Sequence, residues 1–219
     1  MEMDRLGINI LGVREIKRAG ADDFWSDGYR VIYSGYEQRI AGVSIILKKE
    51  WARRVKSCWQ YSERILMIRL EGRVCMQMSS HSEKEIEEVY EQLEEVIGAA
   101  KGKENLIVMG ERNTVVVEGR AGRSVGQFGL GKRNPAGESL IEFCYERNMV
   151  VANTIFEQHP RGIYTWKMPG DKVRYLIGYI LVRTRCKNKV SKCKSYPSAD
   201  TQVNVNRNHN LVIMDTGLR

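Results

Sequence analysis

The stretch Leu106-Ile107-Val108-Met109-Gly110-Glu111-Arg112-Asn113 constrains the fold more than any other part of the chain. Four apolar residues in a row, closed by a glycine, read as a strand buried on both faces. An acid follows at once, and an amide two places later. A strand that ends this way delivers polar groups to a sheet edge, where clefts form. On this stretch alone, a strand end followed by an ordinary polar turn is the better reading. What separates the two readings is whether other acids and a histidine also arrive at strand ends.

The flanking sequence predicts the layers. Ser82 and Glu85 form a capping box, and Ile86, Val89, Tyr90, Leu93, Val96 and Ile97 recur at helical spacing on one face. Gly98 and Gly102 close that helix, and the Leu106 strand follows it. A helix stepping into a buried strand is the signature of a layered α/β arrangement. Near the N-terminus, residues 8–13 repeat the design: an apolar strand ending at Glu15. Residues 21–28 read as turn-forming. Residues 29–34 and 41–47 read as a hairpin, and 64–71 and 74–78 as further strands, the last stopping abruptly at Ser79. Beyond the glycine-rich loop 118–131, Asn134-Pro135 opens a helix that buries Leu140, Ile141 and Cys144 and ends at Asn148. Strands are expected at 149–152, 163–166 and 176–182. A polar, irregular, basic segment follows at 184–208, and His209 precedes a closing strand at 211–214. Without tandem repeats or a low-complexity linker, residues 1–219 read as a single domain.

Composition narrows the setting. No apolar run is long enough to span a membrane, and the charged start MEMDRLG lacks the core of a signal peptide. Five scattered cysteines without a Cys-x-x-Cys pair argue for a reducing compartment, nuclear or cytoplasmic, and against a zinc site or disulfide frame. The net charge of +8 makes a phosphate-rich partner plausible. Arg183, Arg185, Lys187, Lys189, Lys192 and Lys194 fall in a segment without an acid. On a strand, the alternate spacing from 183 to 189 would put four cations on one face. A solvated lysine-rich loop and a phosphate track both fit.

The polar groups at strand ends are therefore Glu15, Glu111, Asn113 and His209. Two acids, an amide and a histidine on separate strands would suit a cleft in which carboxylates hold a hard cation while amide and imidazole hold a phosphate. The wording is more specific than the spacing. LGVREIK (11–17), RIAGVSIIL (39–47), LIVMGERN (106–113), GLGKRNPAGESLIEFC (129–144), VVANTIFEQHPRGIYTWKMPGD (150–171) and YILVR (179–183) resemble the endonuclease domain of RTE-type LINE retrotransposons, in particular its host-encoded, craniofacial development protein 2-like copies. These belong to the endonuclease/exonuclease/phosphatase superfamily. The resemblance implies a four-layered α/β sandwich, two mainly antiparallel sheets flanked by helices, and Mg²⁺-dependent cleavage of DNA.

Position by position, the resemblance makes Glu15 the metal-binding acid of a G-V-x-E motif. Glu111 stands where the family's G-D-x-N has the Asp that activates water, and Asn113 is that motif's Asn. Tyr179 and Ile180 match I-D-Y-I, but Gly178 replaces its Asp. His209 matches the closing S-D-H, with Asn208 in place of Asp. Trp166, Arg183, Arg185 and Lys187 are the candidate nucleic-acid contacts, although a tryptophan in such a segment as readily packs as stacks on a base. The family's first strand is expected to be missing ahead of Met1, and a further piece after Met78. A one-methylene misplacement at 111 can cost on the order of 10²-fold, and loss of a carboxylate that orients a histidine about 10⁴-fold. The resulting expectation is a degenerate Mg²⁺-dependent endonuclease with weak or lost activity. The alternative is a non-catalytic module of the same fold that binds nucleic acid or protein.

Overall fold

The computed structural model describes residues 2–38, 41–79, 83–99, 104–111, 114–116, 119–197, 199 and 208–217. The chain divides into two compact units, Met3–Gly110 and Glu111–Arg219. Among the described residues no helix is long and apolar enough to cross a membrane.

The first unit is built on two sheets. One contains β1 (Ile10–Arg14), β2 (Ala21–Ser26), β3 (Tyr29–Gly35) and β4 (Gly42–Lys48) in the order β1-β4-β3-β2, each pairing antiparallel. In the other, β5 (Val55–Ser62), β6 (Ile65–Leu70), β7 (Arg73–Ser79) and β8 (Asn105–Glu111) lie side by side in that order. The sheets approach closely at Gly12 of β1. A Cβ there would stand 1.8 Å from Gln77 Oε1 and 3.3 Å from the Met109 methyl. Ile32, Ile45 and Leu47 from the first sheet and Ile65, Ile68, Met76 and Met78 from the second are fully enclosed. Leu106, Ile107 and Val108 of β8 are buried in succession, as the apolar run predicts for a strand covered on both faces.

Short helices α1 (Glu2–Arg5) and α2 (Lys49–Ala52) accompany the first sheet, and α3 (Glu83–Ala99) runs beside β5. Val89, Leu93, Val96 and Ile97 form the buried face of α3, and Gln92 Oε1 lies 3.2 Å from Ser62 Oγ. The expected capping box falls on Ser82, outside the described residues.

Two readings of this unit are corrected. Residues 21–28 are not a turn. Residues 21–26 are the edge strand β2, and only Asp27 (φ 49°) and Gly28 (φ 83°) adopt the left-handed conformation of a two-residue hairpin loop. The acids there suggested a turn, but pairing with β3 and the edge-on contact of Phe24 with Tyr33 hold the strand. Strand β5 escaped notice because register shifts at Val55/Ser57 and Gln60/Ser62 break its alternation.

The second unit carries α4 (Pro135–Glu146), β9 (Met149–Val151), β10 (Trp166–Lys167), β11 (Arg174–Tyr175), β12 (Gly178–Arg183), β13 (Val190–Tyr196) and β14 (Leu211–Thr216). β9 pairs with β12, β10 with β11 and β13 with β14, all antiparallel. Asn134 caps α4 as its sequence predicts, accepting from the Gly137 amide at 2.9 Å and from the Val115 amide at 3.0 Å. Leu140 and Cys144 are buried. Phe143 completes that face, and Ile141, expected there, is only half-buried. Asn148 ends the turn after α4 in the left-handed conformation, φ 51°.

Three expectations here are corrected. Residues 152–154 are a 3-10 turn rather than the end of a strand, and the strand expected at 163–166 begins only at Trp166, after a 3-10 turn at Pro160–Gly162. The segment 184–208 is not irregular throughout. It starts with a 3-10 helix, Thr184–Lys189, and continues as β13. A register shift between Val190 and Lys192 disguises the strand, whose buried residues include the polar Ser195.

Two predictions test this packing. Gly137→Ala should destabilise the protein by about 1–3 kcal/mol, the usual scale of overpacking. A Cβ at 137 would stand 2.0 Å from the Val115 carbonyl oxygen, which outweighs alanine's helix preference of about 1 kcal/mol. A rise in Tm would contradict it. Burial pushes the Cys75 thiol up to about 12 from 9.0. The folded state thus favours the protonated thiol, a contribution fully present below pH 9.0 and lost as pH climbs toward about 12. Denaturant titrations across that window should show falling stability in the wild type and a shallower fall in Cys75→Ala.

Candidate functional site

The candidate site of the second unit grows from one three-residue pairing. Residues 165–167 run alongside 208–210: the Lys167 amide donates to the Asn208 carbonyl (2.9 Å), the Asn210 amide to the Thr165 carbonyl (2.8 Å), and Trp166 bridges His209. This ladder sets the His209 backbone against β10 rather than leaving it on a loop. The ring then meets Glu111, the last residue of β8. His209 Nδ1 and Glu111 Oε1 are 3.1 Å apart, and the two side chains are only 18% and 11% exposed. The acid of the G-E-R-N stretch and the histidine before the last strand, far apart in sequence, are thus neighbours.

Thr165 also fixes the backbone at 178. Its Oγ1 accepts from the amides of Ile177 (2.9 Å) and Gly178 (2.8 Å). Asn153 grips the next bonds, its Nδ2 donating to the Gly178 carbonyl (3.1 Å) and its Oδ1 accepting from the Ile180 amide (2.9 Å). Yet nothing obliges this position to be glycine. A Cβ there would meet Thr165 Cβ and Oγ1 at 3.5 Å, ordinary contact. The backbone is clamped on both sides, and a side chain would fit there.

Tyr179 is a second residue whose part the sequence did not disclose. Its hydroxyl is fully buried, lies 2.5 Å from the Leu176 carbonyl and 3.0 Å from the Thr114 carbonyl, and accepts from the Val116 amide at 3.3 Å. It pins the chain just beyond Asn113, which itself lies outside the described residues. Burial holds the phenol well above its usual titration range, so it stays protonated and able to donate. Thr165 and Asn153 carry no sequence signal of their own, since buried Thr and Asn are ordinary. Tyr179 was legible only as part of a motif.

The candidate nucleic-acid contacts separate. Trp166 is half-buried and stacks on Tyr175 (5.8 Å, 24°), so the exposed ring of the pair is Tyr175. Arg183 turns inward, donating to the Arg147 carbonyl at 2.9 Å, and burial lowers its pKa. Arg185 is exposed and Lys187 half-buried. With Thr184–Lys189 in a 3-10 helix, the four alternating cations do not line one strand face. Alternate lysines occur instead on β13, where Lys192 and Lys194 both stand over the Tyr196 ring, at 5.8 and 4.7 Å.

Glu15, the candidate metal ligand, ends β1 in the first unit. Its φ of 54° is left-handed, a conformation that costs a non-glycine residue roughly 1–3 kcal/mol. Its Oε1 lies 2.9 Å from Arg14 Nη1. The donor chemistry of the second unit's candidate positions does not fit a magnesium ion. A hard dication takes charged oxygens. Glu111 stands against His209, while Gly178 and Asn208 bring no carboxylate. Among the described residues no three His, Cys, Asp or Glu side chains gather as a metal would require.

Comparison with known proteins supplies the context. No family model matches the chain. It is 33% identical over 208 residues to craniofacial development protein 2 of Tragulus javanicus and 32% identical to that of Bos taurus, in each case over 91% of its own length. It spans about a third of those relatives, 36% and 35%. Among solved structures it superposes on the endonuclease domain of TRAS1, a telomere-specific non-LTR retrotransposon (TM-score 0.70, 13% identity, 100% of this chain and 90% of that one). It also superposes on an AP endonuclease from Archaeoglobus fulgidus (0.67, 14%, 98% and 91%) and on the 3′ phosphatase NExo from Neisseria bound to product DNA hairpin (0.66, 16%, 95% and 88%). At such identities the likeness is one of fold.

The Tyr179 anchor yields a prediction. Tyr179→Phe leaves the Val116 amide without its acceptor and should cost about 1–3 kcal/mol. Thermal denaturation measures it, and an unchanged Tm would remove Tyr179 as the anchor.

Proposed function

We propose that this chain, which has the endonuclease/exonuclease/phosphatase fold and is a sequence relative of craniofacial development protein 2, is a phosphodiesterase domain descended from a non-LTR retrotransposon endonuclease. It engages DNA and cuts it weakly or not at all. The supporting observation is the Glu111–His209 pair beside a clamped but empty position 178. Acid and imidazole meet, as a phosphate-cleaving cleft needs, while the frame at 178 presents no carboxylate. The ancestral reaction is magnesium-dependent DNA nicking, and the present donor set no longer suits that ion. Here His209 would steady a phosphate, with Glu111 beside it and Asn113 two residues further along the chain. The exposed Tyr175, with Arg185 and Lys187, offers ring and charge to the nucleic acid.

A non-catalytic reading of the same fold is favoured by one feature, the engagement of both acids by cationic or ring-nitrogen partners. Supercoiled plasmid with Mg²⁺ distinguishes the two. The wild type should nick little or nothing, and the triple variant Glu111→Asp, Gly178→Asp, Asn208→Asp should nick more, in a chelator-sensitive way. No gain in the triple variant, with salt-dependent retention of DNA, would replace the phosphodiesterase reading with the binding one.

A further inference from the structure

The far end of β12 gathers cations away from residue 178. Arg183 ends the strand, Thr184 and Arg185 follow it, and Arg147 caps the carbonyl end of α4. Two hydrogen bonds join these segments. Arg183 Nη1 donates to the Arg147 carbonyl at 2.9 Å, and the Thr184 amide donates to the Asn148 carbonyl at 2.7 Å. We infer that Arg147, Arg183, Thr184 and Arg185 form an anion site for a small phosphate-bearing ligand, inorganic phosphate or a terminal phosphate monoester. Along β12 the chain climbs about 16 Å from residue 178 to residue 183, so this site is separate from the one at His209.

Bonding capacity is left over at its centre. A guanidinium carries five N–H donors, and among the described residues that of Arg183 makes one hydrogen bond, from Nη1. Its Nε and the Thr184 hydroxyl oxygen are shut away from solvent without a hydrogen-bond partner. Such groups are costly to leave unpaired, a charged one above all. Among the described residues no carboxylate stands within ion-pair distance of Arg183. Burial lowers its pKa, and the charges of Arg185 and Arg147 lower it further against the opposing effect of Cys186. The α4 dipole accounts for one cation at the helix end. It does not account for guanidinium groups that repel one another, nor for a buried hydroxyl bonded to nothing.

A phosphate supplies what the cluster lacks: opposite charge, and several acceptor oxygens for guanidinium and hydroxyl donors. Arg185 is exposed, while Arg183 and Thr184 are half-buried. A single phosphate group can enter that far. The backbone of a duplex is too broad to follow Arg183 inward.

Calorimetric titration of the full chain with inorganic phosphate, in chloride buffer, tests the site. Phosphate should bind, and an equal concentration of acetate should not displace it. Arg183→Gln and Thr184→Val should each weaken binding about tenfold, the scale of one hydrogen bond to a charged group. His209→Ala should leave it unchanged. Thr184→Val decides even if Arg183→Gln loosens the end of α4, because the Thr184 hydroxyl holds nothing in place and its Tm should not fall. Absent phosphate binding overturns the inference, as does binding that survives both variants or that acetate matches. Binding lost only in His209→Ala would assign the phosphate to the other site. Displacement by a duplex without terminal phosphates would make the cluster a DNA contact. Either result also overturns it, and none of these outcomes depends on cleavage.

Discussion

Thr165 is the residue on which the geometry of the second unit depends. It is almost wholly enclosed, and its backbone and hydroxyl make four hydrogen bonds: to Tyr175, Asn210, Ile177 and Gly178. Those bonds tie the strand after the 3-10 turn to the hairpin strand, to the segment carrying His209 and to the start of β12. A buried hydroxyl that accepts from two backbone amides is stabilising. The same hydroxyl with its partners displaced would leave two amides without an acceptor. The placement of His209 and the shape of position 178 therefore rise and fall together.

Around that hub, side chains hold the backbone in place on both sides. The backbone of residue 178 is gripped on both sides, by Thr165 and Asn153, although a glycine needs no such grip and its Cβ would meet no obstacle. Tyr179 likewise fastens the chain beyond the G-E-R-N stretch. Preorganisation of this kind serves a site, since it fixes side chains that must act together. Here it fixes the backbone of residue 178 within reach of Thr165, whose own carbonyl holds the segment that carries His209.

Charge adds a second constraint. The chain is strongly basic, yet several cations that read as free in the sequence are structural. Arg183 serves the end of α4 through the Arg147 carbonyl, and Arg14 faces its own neighbour Glu15. Net charge favours a polyanionic partner at long range, but contact depends on which cations remain outside. By that measure Arg185, Lys192 and Lys194 are better placed than Arg183.

The sequence alone determined the strongly periodic or sharply capped elements: the Leu106 strand, the α3 face, the Asn134 cap and the hairpin of β3 and β4. Each is written in neighbouring residues, through apolar spacing or a side chain bonding its own first turn. It also carried the motif positions, Glu15, Glu111, Gly178 and His209, because wording survives where periodicity is silent. It misjudged β2 and β13 and overlooked β5, whose polar composition or register shifts hide a period of two until a partner strand supplies the hydrogen bonds. Only the tertiary structure could bring Glu111 to His209, make Thr165 and Asn153 the clamps of residue 178, and turn Arg183 inward. Contacts across tens of residues depend on where separate elements come to rest, and no local pattern encodes that.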